Sequence, residues 1–219
     1  MKKTLSLLLV LAMVLSSFGF AFAAEDEIVP AEFLNEKGIL KGNATGDLML
    51  EDNLKRQDMI IMLSRLLGVE EEAKAYEGET TFTDIADPFY VPYIAWAEAE
   101  ELTEGVGDNK FGFDRAVKEN EVAAFLLRAL GYTDVKWEDV PAKAVELGLV
   151  KKDADLTVDA KREVLANLTY KALGMKMKDS EKTLAEHLEI EMPKPAKLEV
   201  KEVVADNLKE IKVVFNKAV

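Results

Sequence analysis

The chain has 219 residues and contains no cysteine, so no disulfide can stabilise it. Its 41 acidic and 28 basic side chains give a formal net charge of −13 at pH 7. A protein with this negative field is not expected to bind nucleic acid or an anionic membrane through its overall charge, because both are themselves anionic. Any acidic ligand must therefore be bound by local basic groups.

The first residues have the features of an export signal. Lys2 and Lys3 precede an apolar run, and the run ends in Ala21-Phe22-Ala23, a small-x-small sequence that suits signal peptidase. We therefore predict a signal peptide at residues 1–23 and a secreted protein. No other stretch is long and apolar enough to span a bilayer, so no membrane contact is expected after signal removal.

Three related segments follow one another along the chain. The segment 38–68 aligns without a gap with the segment 101–131, at a constant offset of 63 residues. A third segment, 148–174, aligns with them if its turn is taken to lack four residues. Repeats of this kind indicate one structural unit that is used several times.

Each copy has a short amphipathic helix, a turn, and a longer helix with apolar residues at helical spacing, ending at a glycine suited to a C-cap. The apolar positions of the long helices are Met59, Met62, Leu63, Leu66 and Leu67, then Val122, Phe125, Leu126, Ala129 and Leu130, then Leu165, Leu168, Ala172 and Leu173. One such stripe cannot be buried alone. We therefore predict a mainly α fold in which the three copies form a pseudo-threefold helical bundle.

The expected boundaries follow from the repeats. The first motif is placed at residues 24–75, the second at 76–134, and the third, with an extra helix, at 135–192. Residues 193–219 are expected to be a linker and the first strands of a truncated β domain, because two runs of alternating hydrophobicity are separated by turn-prone residues. Two strands are too few to be stable by themselves in water.

The turn of the second copy, GVGDNKFGF at residues 105–113, could hold a metal, bind a phosphate or reverse the chain. A calcium loop that began at Asp108 would have Lys110 at its third position, and Phe113 where an EF-hand needs glycine. No GxxxxGK[ST] phosphate-binding motif is present. Glycine, Asp and Asn all favour turns, so we interpret the segment as a turn that leads into the long helix.

Short signals in the second copy resemble a known family. FTDIAD, YIAWA, GVGDNKF and KENE are similar, in order, to the F-x-D-V, Tyr-Ile-x-Trp-Ala, G-x-G-D-x-x-F and T-R-x-E signatures of the S-layer homology (SLH) domain. The resemblance covers residues 28–175 in three copies. The tail resembles the leading strands of the immunoglobulin-like modules that often follow such motifs.

The resemblance implies a function. In the SLH family, three motifs hold a surface protein non-covalently to secondary cell-wall polysaccharide, in grooves between the motifs. By this resemblance the chain is the N-terminal part of an S-layer or other cell-wall protein, not an enzyme, with other S-layer subunits as further partners. The family's groove arginine, in T-R-x-E, falls on Arg56, Glu119 and Arg162.

A guanidinium beside a helix N-terminus can bind a carboxylate with two hydrogen bonds. Arg56 and Arg162 are therefore candidate polysaccharide ligands, with exposed surface arginines as the alternative, and Lys118 is the candidate substitute beside Glu119. Trp96 is expected either to stack on a sugar ring or to lie in the core. Asp108 is expected either to brace its turn or to contact the polysaccharide.

Asp84, the aspartate of the F-x-D-V-like sequence, is expected to organise the start of its motif. No cofactor is expected, and the sequence leaves calcium open as a further component of the assembly. With one histidine and no cysteine, a zinc site would need mostly carboxylates, which is unusual.

The sequence lacks the G-x-S-x-G and H-E-x-x-H motifs of common hydrolases, and its many carboxylates show no spacing that singles out an acid–base pair. Two alternatives remain open beside polysaccharide anchoring. The segment could be the wall anchor of an exported enzyme whose catalytic domain lies downstream. It could also be a lattice-assembly module that does not bind polymer.

Overall fold

The computed structural model describes residues 29–193, 200–207 and 210–215. The predicted signal peptide lies outside the described residues. Residues 29–193 lie within one compact unit, and the two strands belong to another. The helices are α1 (Pro30–Glu36), α2 (Arg56–Leu66), α3 (Glu70–Lys74), α4 (Val91–Ala99), α5 (Glu119–Ala129), α6 (Val140–Glu146), α7 (Arg162–Leu173) and α8 (Leu184–His187).

The expectation of a mainly α fold is confirmed for the described residues. Helices α2, α5 and α7 are the long helices of the three copies, and α1, α4 and α6 are the short helices that precede them. Each short helix has a proline in its first turn, where the missing N–H group would have had no partner within the helix. Single turns of 3-10 helix, Pro88–Tyr90 and Trp137–Asp139, lead into α4 and α6.

The predicted apolar stripes form the core. Of the fourteen positions named above, twelve are buried, and Leu67 and Leu168 are partly buried. The buried face of α2 is wider than the stripe, because Ile60 and Ile61 are buried too. The buried face of α5 is also wider than its predicted stripe, because Ala123, Ala124 and Leu127 are buried as well. These two helices are therefore surrounded by other elements rather than packed on one side only.

A closed ring of backbone hydrogen bonds joins the segments that precede the three long helices. The N–H of Leu54 donates to the carbonyl of Ala160, that of Ala160 to Val117, and that of Val117 to Leu54, each at 2.8 Å. All three residues are buried, so water cannot satisfy these groups. The ring places the starts of α2, α5 and α7 side by side.

The two strands, β1 (Val200–Asn207) and β2 (Glu210–Phe215), pair antiparallel, with Val203 opposite Val213. They correspond to the two alternating runs of the sequence. The immunoglobulin-like domain that the tail resembles stays a prediction.

Candidate functional site

The first residues of the three long helices occupy equivalent places. Their backbone N–H groups form a second set of bonds between motifs: Arg56 donates to the carbonyl of Arg115 at 3.0 Å, Glu119 to that of Val158 at 3.1 Å, and Arg162 to that of Asp52 at 3.0 Å. Each of the three residues therefore lies at a junction between two motifs. These three junctions are the candidate functional site.

Arg56 lies at the junction of the first and second motifs and is only 4% exposed. Its Nε donates to the carbonyl of Phe111 at 2.7 Å, and its Nη2 to Thr103 Oγ1 at 3.1 Å and to the carbonyl of Gly105 at 3.4 Å. The guanidinium also lies 5.2 Å from the centres of the Phe111 and Phe125 rings. Arg56 is thus held inside the protein, and its predicted contact with polysaccharide stays a prediction.

Glu121 supplies the negative charge that balances Arg56. Its Oε1 lies 2.7 Å from Arg56 Nη1 and 2.6 Å from Arg115 Nη2. Burial lowers the pKa of Arg56 to about 10, against the opposing effect of Glu121. Burial would raise the pKa of Glu121, but hydrogen bonds from Arg115 and from the backbone N–H of Lys118 outweigh it and lower that pKa. Both groups therefore stay charged near neutral pH.

Arg162 lies at the junction of the third and first motifs and is half-buried. Its Nε donates to the carbonyl of Leu48 at 2.8 Å, and its Nη2 to the carbonyl of Lys41 at 2.8 Å. Its Nη1 makes no hydrogen bond with the residues that the structure describes. Burial lowers the pKa of Arg162, and the charges of Asp58 and Asp52 oppose this shift. Arg162 therefore keeps donors for a ligand, which Arg56 largely lacks.

At the junction of the second and third motifs, the first residue of the long helix is the acidic Glu119 instead of an arginine. Burial, and then the nearby charge of Asp155, raise the pKa of Glu119. Lys118 is exposed, and its ammonium lies 3.0 Å from the carbonyl of Thr157 and 3.1 Å from Asp159 Oδ1. Lys118 is thus engaged in a salt bridge with the third motif, beside Glu119.

The turn at residues 105–113 is held by Asp84, whose carboxylate accepts the backbone N–H groups of Phe111, Gly112 and Phe113 at 2.7, 2.9 and 3.1 Å. Burial would raise the pKa of Asp84, but these three hydrogen bonds lower it. The expectation that Asp84 organises its motif agrees with this geometry. Asp84 links the start of the second motif to the end of the turn.

Asp108 and Trp96 line two pockets whose walls include none of Arg56, Lys118 and Arg162. Asp108 lines a groove of about 510 Å³ together with carboxylates such as Glu98 and Glu104. Trp96 is 3% exposed and lines a separate pocket of about 210 Å³ with Leu67 and other residues. The five residues predicted for a polysaccharide groove are therefore distributed over several places, and the structure does not bring them together.

An aromatic cluster beside α2 was not predicted as a unit. Phe89, 55% exposed, packs edge-on against Tyr90 at 5.0 Å, and Tyr90 packs against Phe113 at 5.5 Å. The Tyr90 hydroxyl donates to Asp58 Oδ1 at 3.0 Å. Burial, and then the charge of Asp58, raise the pKa of Tyr90 to about 12. The sequence signal was present, because Phe89 and Tyr90 stand between the F-x-D-V-like sequence and α4.

Residues 29–193, 200–207 and 210–215 contain no group of three acidic or histidine side chains that could hold a metal ion. Within the same ranges, no helix has the length and apolar composition needed to cross a membrane.

Comparisons with known proteins point to the cell surface. No family model matches the chain. It is 31% identical over 163 residues to a cell surface protein of Thermoanaerobacter kivui, which covers 68% of this chain. It is 27% identical over 143 residues to a surface layer protein of Brevibacillus choshinensis, which covers 60% of this chain. It is also 26% identical over 168 residues to a middle cell wall protein of Brevibacillus brevis, which covers 69% of this chain.

The chain spans only 13% to 21% of the length of these relatives. Their names describe surface-layer and cell-wall proteins and mention no catalytic activity. The expected localisation at the cell wall or surface layer is confirmed by these relatives.

Proposed function

We propose that residues 29–193 are three SLH motifs in a pseudo-threefold bundle, and that they anchor an exported surface protein non-covalently to secondary cell-wall polysaccharide. The closed hydrogen-bond ring of Leu54, Val117 and Ala160 supports the threefold arrangement. The similarity to surface-layer and cell-wall proteins supports the location. Assembly with other S-layer subunits is also proposed for this chain. It does not follow from the similarity to the longer relatives.

Arg162 is the observation that carries the proposal. It is a partly exposed guanidinium, fixed by two backbone carbonyls, at the start of a helix whose dipole favours anions. Fixing the side chain in advance lowers the entropy lost on binding, so the remaining donors can bind an acidic sugar group efficiently. In a protein of net charge −13, this local cation is the means by which an acidic polymer can be bound.

Co-sedimentation with purified cell-wall sacculi tests the proposal. The exported chain should sediment with intact sacculi and stay in solution after the secondary polysaccharide has been extracted. The Arg162→Ala variant should bind more weakly, and Lys171→Ala, an exposed cation at the other end of α7, should bind as well as the original chain.

Two results would contradict polysaccharide anchoring. Equal sedimentation with extracted sacculi would point to another wall component. No sedimentation at all would favour the lattice-assembly alternative.

A further inference from the structure

Arg56 and Arg162 make the same contact at two different junctions. Arg56 Nε donates to the carbonyl of Phe111 at 2.7 Å, and Arg162 Nε donates to the carbonyl of Leu48 at 2.8 Å. Leu48 and Phe111 are equivalent residues, separated by the repeat offset of 63. The Nη2 groups reach carbonyls one repeat position apart: that of Lys41, which aligns with Glu104, and that of Gly105, which aligns with Gly42.

Among the described residues, neither arginine side chain makes a hydrogen bond to the turn of its own motif. Arg56, in the first motif, binds turn 2 (residues 103–113), and Arg162, in the third motif, binds turn 1 (residues 41–48). The start of each of these long helices is thus bonded to the turn of a neighbouring motif. A guanidinium suits this role because it has five donors in a fixed plane, whereas a lysine ammonium cannot reach the same carbonyls at once.

The junction of the second and third motifs differs from the other two both at the start of the long helix and in the turn that faces it. Glu119 replaces arginine, and the turn that it faces, turn 3 (residues 151–156), belongs to the copy that is four residues shorter than the others. The nearby charge of Asp155, in turn 3, acts on Glu119. The backbone bond from Glu119 to Val158 is kept, so the junction is still closed without an arginine.

We infer that Arg56 and Arg162 are positioning residues, each of which fixes the turn of a neighbouring motif, and that Glu119 is accommodated because the shortened turn 3 needs no such brace. The inference goes beyond the proposed function, since it concerns what sets the shape of the junctions rather than what binds there. It implies that a change in one motif loosens a turn in another.

Amide hydrogen exchange on the exported chain tests this inference. The N–H groups of Val106 and Lys110 report on turn 2, and those of Asn43 and Gly46 report on turn 1, because all four donate within their turns. In Arg56→Lys, the turn 2 amides should exchange about tenfold faster, the effect of losing one charge-assisted hydrogen bond, and the turn 1 amides should be unchanged. In Arg162→Lys, the pattern should be reversed.

Glu119→Gln is the matched control, at the equivalent position of α5, and it should change neither turn. If Arg56→Lys fails to fold, the half-exposed Arg162→Lys still tests the inference. The inference would be overturned if either arginine variant showed faster exchange in both turns. It would also be overturned if exchange in both turns stayed unchanged. Because no polymer takes part, this result is independent of the wall-binding experiment.

Discussion

Arg56 and Glu121, from different motifs, form a buried ion pair with 2.7 Å between Nη1 and Oε1. Their side chains are only 5% and 10% exposed. The pair joins the start of α2 to the first turn of α5, so it connects two copies of the repeat through the interior. Removing Arg56 would leave Glu121 paired with Arg115, whereas removing Glu121 would leave the Arg56 charge buried without its ion-pair partner.

We therefore expect Glu121→Ala, which leaves Arg56 without its carboxylate partner, to destabilise the fold by about 3–5 kcal/mol, the usual effect of removing one member of a buried pair. Chemical denaturation would measure the change in the free energy of unfolding. Lys55→Ala is the control, because the neighbouring Lys55 makes only an exposed salt bridge with Asp114 and its loss should have no measurable effect. Equal effects of the two variants would contradict a structural role for the pair.

Glu119 should make stability depend on pH. Its pKa in the folded protein lies above the ordinary 4.5, so the folded state binds its proton more tightly than the unfolded state. Stability is therefore lost as the pH rises from 4.5 through the folded pKa, and the loss persists at neutral pH. Glu119→Gln removes the ionisation and should be more stable than the original chain at pH 7, with little difference at pH 4.

Urea denaturation at the two pH values would measure this effect. Glu163→Gln, at an exposed residue in the first turn of α7, is the control for replacing a carboxylate by an amide. A Glu119→Gln variant with the same stability difference at pH 4 and pH 7 would show that the ionisation has no role.

Gly105 should be more sensitive to alanine than Gly107. Both have positive φ, 71° and 98°, which is unfavourable for a side chain by about 1–2 kcal/mol. At Gly105 a Cβ would also lie 2.4 Å from the carbonyl oxygen of Lys110 and from the Phe82 ring, whereas at Gly107 it would meet nothing within 4 Å. Thermal unfolding of the two alanine variants should therefore show the lower melting temperature for Gly105→Ala, and the reverse order would refute this account of the turn.

Asp84 should contribute more to stability than Asp134, the aspartate of the similar sequence YTDV at the boundary of the second and third motifs. Asp84→Ala leaves three backbone N–H groups without their acceptor and should cost about 1–3 kcal/mol. Asp134 has the corresponding place in YTDV, but it forms an exposed salt bridge with Lys178, so Asp134→Ala should be nearly neutral. Denaturant titrations of both variants would measure the difference, and similar losses would contradict the brace assigned to Asp84.

The helices could be predicted because their burial follows a local pattern. The stripe that contains Met59 and Leu63 is visible in eleven residues of sequence, and both residues are fully buried. At the extra helix predicted for the third motif, the structure has one short helix, Leu184–His187, which begins with a capping box formed by Thr183 and Glu186.

The environment of Arg56 could not be predicted in the same way. Its acceptors, the carbonyl of Phe111 and the carboxylate of Glu121, lie 55 and 65 residues further along the chain. Only the packing of one motif on another brings them to the guanidinium. The T-R-x-E resemblance identified the position but did not indicate that the side chain is buried.

Isothermal titration calorimetry of the exported chain with purified secondary cell-wall polysaccharide tests most directly the central claim, that the chain binds this polymer. The account predicts saturable binding that is weakened at least tenfold in Arg162→Ala, as expected for the loss of a charge-assisted hydrogen bond, and unchanged in Lys171→Ala. Absence of binding by the original chain, or undiminished binding by a folded Arg162→Ala variant, would contradict it.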